Sequence, residues 1–144
     1  MKNFEKLTGR EKDLLLKFPA YITLLAANHD NGMDETEKKE AIHLSHIKTY
    51  SSDPLLREFY KEADKVFEKN ILQLNSELPK EKSARSLQIK MELSELENIL
   101  SRMEKSFASS LRQSMASFKD HVSKAHNNAL EYFMFPIPIK GITE

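Results

Sequence analysis

The residues best suited to chemistry by type and spacing are Glu40, His43 and His46, which recur every three positions. On a helix His43 and His46 lie about 60° apart around the axis, so both imidazoles can turn toward one site. Neutral imidazole nitrogens suit a mononuclear transition metal. Glu40-Ala41-Ile42-His43 also has the Glu-x-x-His spacing of carboxylate-bridged di-iron bundles. Such a centre needs a second pair, and the residues three before His121 and His126 are Phe118 and Ser123. Glu92, Glu95 and Glu97 fall off or beside the apolar stripe of their segment. The alternative for His43 and His46 is a solvated or hydrogen-bonded pair beside Tyr50.

A second cluster lies just upstream. Asp30, Asp34 and Glu37, with the Asn31 amide oxygen, offer hard oxygen ligands of the kind that bind Ca²⁺ or Mg²⁺. The register excludes an EF-hand: with Gly32 at the sixth place, the first and twelfth places are Ala27 and Lys38, neither of them a ligand. The same residues also serve without an ion, Asp34 and Glu37 as helix caps and Asp30 as a turn former. Catalytic signatures are absent at motif level: there is no Gly-x-Ser-x-Gly, no phosphate-cradling glycine loop and no His-Glu-x-x-His.

The elements that must position these groups are read from punctuation and period. Thr8-Gly9-Arg10-Glu11 is a capping box, and Leu14, Leu15, Phe18, Ile22, Leu25 and Ala26 follow as one stripe at three-to-four spacing. Pro19 lacks an amide donor and clashes with the preceding turn, which predicts a kink or restart near Phe18. Asn28 to Asp34, rich in turn formers and with Gly32 to supply positive φ, predicts a turn. Asp34-Glu35-Thr36-Glu37 opens a second helix, expected from about Asp34 to about Tyr50, which carries the Glu40, His43 and His46 set. Asp53-Pro54 opens a third, with Asp53 as N-cap and Pro54 in the first turn. Leu56, Phe59, Ala63, Val66, Phe67, Ile71, Leu74 and Leu78 carry that helix toward Pro79.

From Lys80 to Phe133 there is neither Gly nor Pro. Ile89, Leu93, Leu96, Leu100, Met103 and Phe107 alternate steps of four and three. Phe107, Leu111 and Met115 step by four, and Phe118, Val122, Ala125, Ala129 and Tyr132 resume the helical period. Steps of four are a stutter, which unwinds a supercoil without a break. As one helix this stretch would be about 80 Å long, against a radius of gyration of about 15 Å for a compact domain of this size. It must protrude, pair or fold back. The expectation is one long, bent helix overhanging the bundle, with the bend among the serines from Ser101 to Ser117, where helix propensity is weaker. An overhang invites a protein partner or self-association through that helix. Phe133 to Gly141 is apolar and interrupted by Pro136 and Pro138, which predicts an extended tail packed on the bundle.

Composition narrows the class. The chain has 144 residues, no cysteine, three glycines, and 22 basic against 22 acidic side chains. Few glycines disfavour turn-rich β folds, and without cysteine there is no disulfide or thiolate chemistry. Zero net charge argues against wholesale nucleic-acid binding. Lys80, Lys82, Arg85 and Lys90, interleaved with Glu81 and Glu92, read as a solvated mixed face. No uninterrupted apolar run is long enough to span a bilayer, and the N-terminal stretch lacks a signal-peptide pattern, so a cytoplasmic protein is expected.

The helix end Ala26-Ala27 followed by Asn28-His29-Asp30-Asn31-Gly32-Met33-Asp34-Glu35-Thr36-Glu37 resembles the tellurite-resistance TerB-like family, with Asp30, Gly32, Met33, Asp34 and Glu37 at the matching places. Asn31 separates Asp30 from Gly32, where that family usually has the two adjacent. Leu55-Leu56 after Asp53-Pro54 and the segment Phe118 to Val122 are similar in style. The resemblance implies a bacterial, cytoplasmic all-helical domain linked to stress responses, with acidic residues proposed to bind a cation and no known reaction. The expectation is thus a single all-α domain over 1–144, acting by binding: a divalent cation held by candidates Asp30, Asp34, Glu37, His43 and His46, or a protein partner along the helices. A carboxylate/His metal enzyme is the remote alternative.

Overall fold

The computed structural model describes residues 5–26, 39, 42 and 53–124. Among these the chain is all-α: α1 (Gly9–Leu16), α2 (Phe18–Ala26), α3 (Pro54–Glu77), α4 (Lys82–Ser101) and α5 (Lys105–Lys124), packed as a bundle.

The first two helices form as their sequence directs. The Thr8 backbone N–H donates to Glu11 Oε1 at 3.0 Å, and the Glu11 N–H donates to Thr8 Oγ1 at 3.1 Å, so two orphan amides of the first turn are satisfied reciprocally. Pro19 splits the apolar stripe as expected. α1 ends at Leu16, Lys17 forms the corner, its N–H donating to the Asp13 and Leu14 carbonyls at 3.2 and 3.0 Å, and α2 restarts at Phe18.

All nine residues of α2 are buried. A helix that is apolar all round belongs inside, and α2 touches each of the other four helices, most extensively α5. Its Thr23 hydroxyl donates to the Pro19 carbonyl at 2.8 Å and needs no solvent. Around this axis the apolar residues of all five helices join in one cluster.

α3 begins where Asp53-Pro54 predicts, with the Leu55 N–H donating to Asp53 Oδ1 at 2.9 Å. Leu56, Phe59, Ala63, Phe67, Ile71 and Leu74 are buried along it, with Val66 half-buried. Tyr60, absent from the predicted stripe, is 1% exposed, and its hydroxyl shares a hydrogen bond with Ser114 Oγ of α5. Aromatic edges knit the two helices: Phe59 meets Phe107 and Phe67 meets Phe118, both T-shaped, with centroids 6.4 and 6.2 Å apart.

One expectation is corrected. The stretch after Lys80 is not one long, bent helix; it breaks at Arg102–Glu104 into α4 and α5, and both lie back on α2. The apolar rhythm ran through the break, which is why the sequence did not show it. What ends α4 is local. Ser101 Oγ turns back to the Asn98 carbonyl at 2.7 Å, and the Arg102 N–H bonds the Ile99 carbonyl at 3.1 Å in a tight last turn. Glu104 opens α5, its carbonyl accepting from the Ala108 N–H at 2.9 Å. Energetics favour the fold-back. α2 is only about 14 Å long, so a straight helix could not lay Ile89, Leu93 and Leu96 together with Phe107, Leu111 and Met115 on the same short core. All six are buried in the folded-back form.

The predicted second helix and the apolar tail lie outside the described residues, except at Lys39 and Ile42. Both have helical backbone; Lys39 is exposed and Ile42 packs against the core.

Candidate functional site

Asp30, Asp34, Glu37, His43 and His46 lie outside the described residues, so their mutual geometry is not part of the structure's account. Two described residues flank Asp30, Asp34 and Glu37 in sequence. Ala26, four residues before Asp30, is fully buried at the end of α2, and Ile42, adjoining His43, packs on the core. Among the described residues no group of three or more His, Cys, Asp or Glu side chains is placed to hold a metal.

What the described helices bring together is a cleft that the sequence did not reveal. Tyr21 of α2 forms one wall, Glu77 at the end of α3 another, and Gln88 and Glu92 of α4 the third; Leu74, Leu78 and Pro79 supply apolar lining. The space is about 360 Å³. Six of its seven lining residues lie between Leu74 and Glu92, but the seventh, Tyr21, is more than fifty residues upstream, so no local motif announces the whole.

Tyr21 is the unusual member. It is 5% exposed, it lines the cleft, and its hydroxyl has no hydrogen-bond partner among the described residues. Burial, and then the negative charges of Glu92 and Glu77, push its pKa up to about 12. The phenol therefore stays protonated at neutral pH, able to donate one hydrogen bond and accept others. Each carboxylate keeps one amide neighbour from its own helix. Gln73 Nε2 donates to Glu77 Oε1 at 2.9 Å, and Gln88 Nε2 donates to Glu92 Oε1 at 3.2 Å. The remaining oxygen on each is available. The cleft thus presents two negative charges and a neutral phenol beside apolar side chains.

The basic face predicted near the start of α4 is also corrected. Arg85 is 2% exposed rather than solvated. Its guanidinium donates to Asn75 Oδ1 and, at 3.4 Å, to the Pro79 carbonyl, while Nε has no partner. Burial lowers its pKa from the usual 12.5. It ties the turn after α3 to the first turn of α4, a positioning role for the rim of the cleft. Sequence reasoning missed it because Lys80, Lys82 and Lys90 share its type.

A smaller space of about 230 Å³ lies between α1 and α3, with Asp13, Lys17, Lys69 and the buried Asn70 among its lining. On the outside, α4 exposes Leu87 and Met91 at 61% and 58%, one turn apart, and α3 exposes Leu72 at 52%.

Comparison with protein-family models, with curated proteins and with solved structures found no match. No helix among the described residues is long and apolar enough to cross a membrane.

Proposed function

We infer that this chain is a non-enzymatic helical binding module of the TerB-like kind, taking up a divalent cation at the acidic turn that follows α2. Asp30, Asp34 and Glu37 supply hard oxygen ligands, and His43 and His46 are the further candidates six and nine residues after Glu37 in sequence. The observation that supports the reading is the packing of the described residues on either side of this segment. α2 is buried along its whole length up to Ala26, and Ile42 packs against the core, so described residues on both sides of Asp30, Asp34 and Glu37 in sequence belong to the bundle. Two of the described carboxylates, by contrast, are engaged in tertiary ion pairs: Glu11 with Arg102, and Glu97 with Arg112. A bacterial, cytoplasmic stress-response setting follows from the resemblance alone.

Equilibrium dialysis of the full chain against Ca²⁺, Mg²⁺, Mn²⁺ and Zn²⁺, with elemental analysis of what is retained, tests this reading. One equivalent of one of these ions is expected, and the D34N/E37Q double variant should lose it. Retention of none of the four would remove the cation reading.

A second reading, helix-mediated protein interaction, draws on the exposed pair Leu87 and Met91. Two large apolar side chains one turn apart on the outer face of α4 form a contact strip of the kind used against a partner helix. Sedimentation velocity separates the readings for self-association: a concentration-independent monomer, unchanged by L87S/M91S, counts against it.

A further inference from the structure

We propose that the cleft walled by Tyr21, Glu77 and Glu92 is a binding site for an aliphatic polyammonium ligand, with its ammonium groups on the two carboxylates and its methylene chain along Leu74, Leu78 and Pro79. Three features of the cleft converge on this class. It carries two formal negative charges and, among its lining residues, no cation. Beside the carboxylates lie apolar side chains, Leu74 and Leu78 of the core among them, which suit methylene groups rather than water. And Tyr21, 5% exposed as a residue, brings to the same space a hydroxyl with no hydrogen-bond partner among the described residues. The ring is packed in the core while the hydroxyl tip opens to the cleft, where an ammonium N–H can donate to Tyr21 Oη.

The chemistry distinguishes this ligand from a metal ion. Ca²⁺ takes about six to eight oxygens and Mg²⁺ a near-octahedral set; two carboxylates, one amide and one phenol held proton-bound fall short. An ammonium group makes charge-assisted hydrogen bonds with one or two acceptors and tolerates a loose shell. The size of the space, about 360 Å³, falls in the range of small-molecule sites. Nothing here depends on the acidic turn, so the two sites can fail separately.

Calorimetric titration of the full chain with putrescine and with spermidine at low ionic strength provides the test, with butylamine as the single-charge comparison. Saturable one-site binding is expected for spermidine, stronger than for butylamine. E77Q and E92Q should each weaken it about tenfold, as expected for loss of one charged partner. Y21F keeps the buried ring and should weaken it by a smaller factor, while D34N/E37Q leaves it unchanged. Circular dichroism confirms that each variant is folded. In the NMR spectrum of the wild type the Tyr21 ring signals should shift on titration. No binding of either polyamine, or binding that E77Q and E92Q leave intact, overturns the proposal. So does binding that D34N/E37Q abolishes, which would place the ligand at the acidic turn instead.

Discussion

The Arg112 guanidinium grips the Glu97 carboxylate with two hydrogen bonds, Nε to Oε2 at 3.1 Å and Nη2 to Oε1 at 2.5 Å, across the hairpin between α4 and α5. The two side chains are only 18% and 26% exposed. Planar two-point pairing of this kind fixes orientation as well as distance, and it holds the corner that a single long helix would not have. Breaking the pair should be felt in stability. E97A and R112A should each cost about 1 kcal/mol, at the upper end for an ion pair not fully buried. A double-mutant cycle by urea denaturation should give a favourable coupling that shrinks in high salt. Additive single effects would show that the hairpin is held by apolar packing alone.

That packing is the larger contribution. Phe107 is fully buried and meets the edge of Phe59 at 6.4 Å, so one ring joins α5 to α3 at the start of the returning helix. Phe107→Ala should cost about 3–5 kcal/mol. Met91→Ala, on the exposed face of the neighbouring helix, should stay within about 0.5 kcal/mol. Thermal melts followed by circular dichroism check both. If Phe107→Ala were as mild as Met91→Ala, the fold-back of α5 onto the core would be contradicted.

Glu11 sets an acid limit on stability. Its carboxyl is held below the usual 4.5, first by the Thr8 backbone N–H and then by the Arg102 guanidinium. A carboxyl whose folded pKa is depressed contributes stability that is complete above its unfolded pKa and is lost as pH falls through the folded one. The wild-type melting temperature should therefore fall below about pH 4.5 more steeply than that of Glu11→Gln, which keeps the shape but has no proton to gain. Glu81, held low by the Ala84 and Ser83 amides at the start of α4, adds to the same trend, so the slope should be reduced in the variant and not abolished. Parallel profiles for the two proteins would contradict the capping role of Glu11.

Much of this fold is legible in the sequence because its signals are local. The Thr8–Glu11 box, the restart at Pro19 and the Asp53–Pro54 start each depend on residues a few positions apart, and each appears where expected. The buried stripe of α4, Ile89, Leu93, Leu96 and Leu100, follows from spacing in the same way. The corner at Arg102–Glu104 was hidden because no Gly or Pro marks it and the stripe runs through; the preference for folding back arises from the short length of α2, a tertiary quantity. Arg85 and Tyr21 were misread or passed over for a related reason. Each has the type expected of another role, a solvated cation or a core aromatic, and only the neighbours brought by other helices give it its own. The cleft around Tyr21, built from α2, α3 and α4, has no sequence signature. The cation candidates Asp30, Asp34, Glu37, His43 and His46 are the reverse case, visible in sequence and outside the described residues.

The central claim, that the chain binds a divalent cation at the turn after α2, is tested most directly by isothermal titration of the full-length wild type and the D34N/E37Q variant with Ca²⁺, Mg²⁺, Mn²⁺ and Zn²⁺. The prediction is one-site binding of at least one ion by the wild type, abolished in D34N/E37Q and retained in E77Q/E92Q. Absence of heat with all four ions, or binding that D34N/E37Q leaves intact, would contradict it.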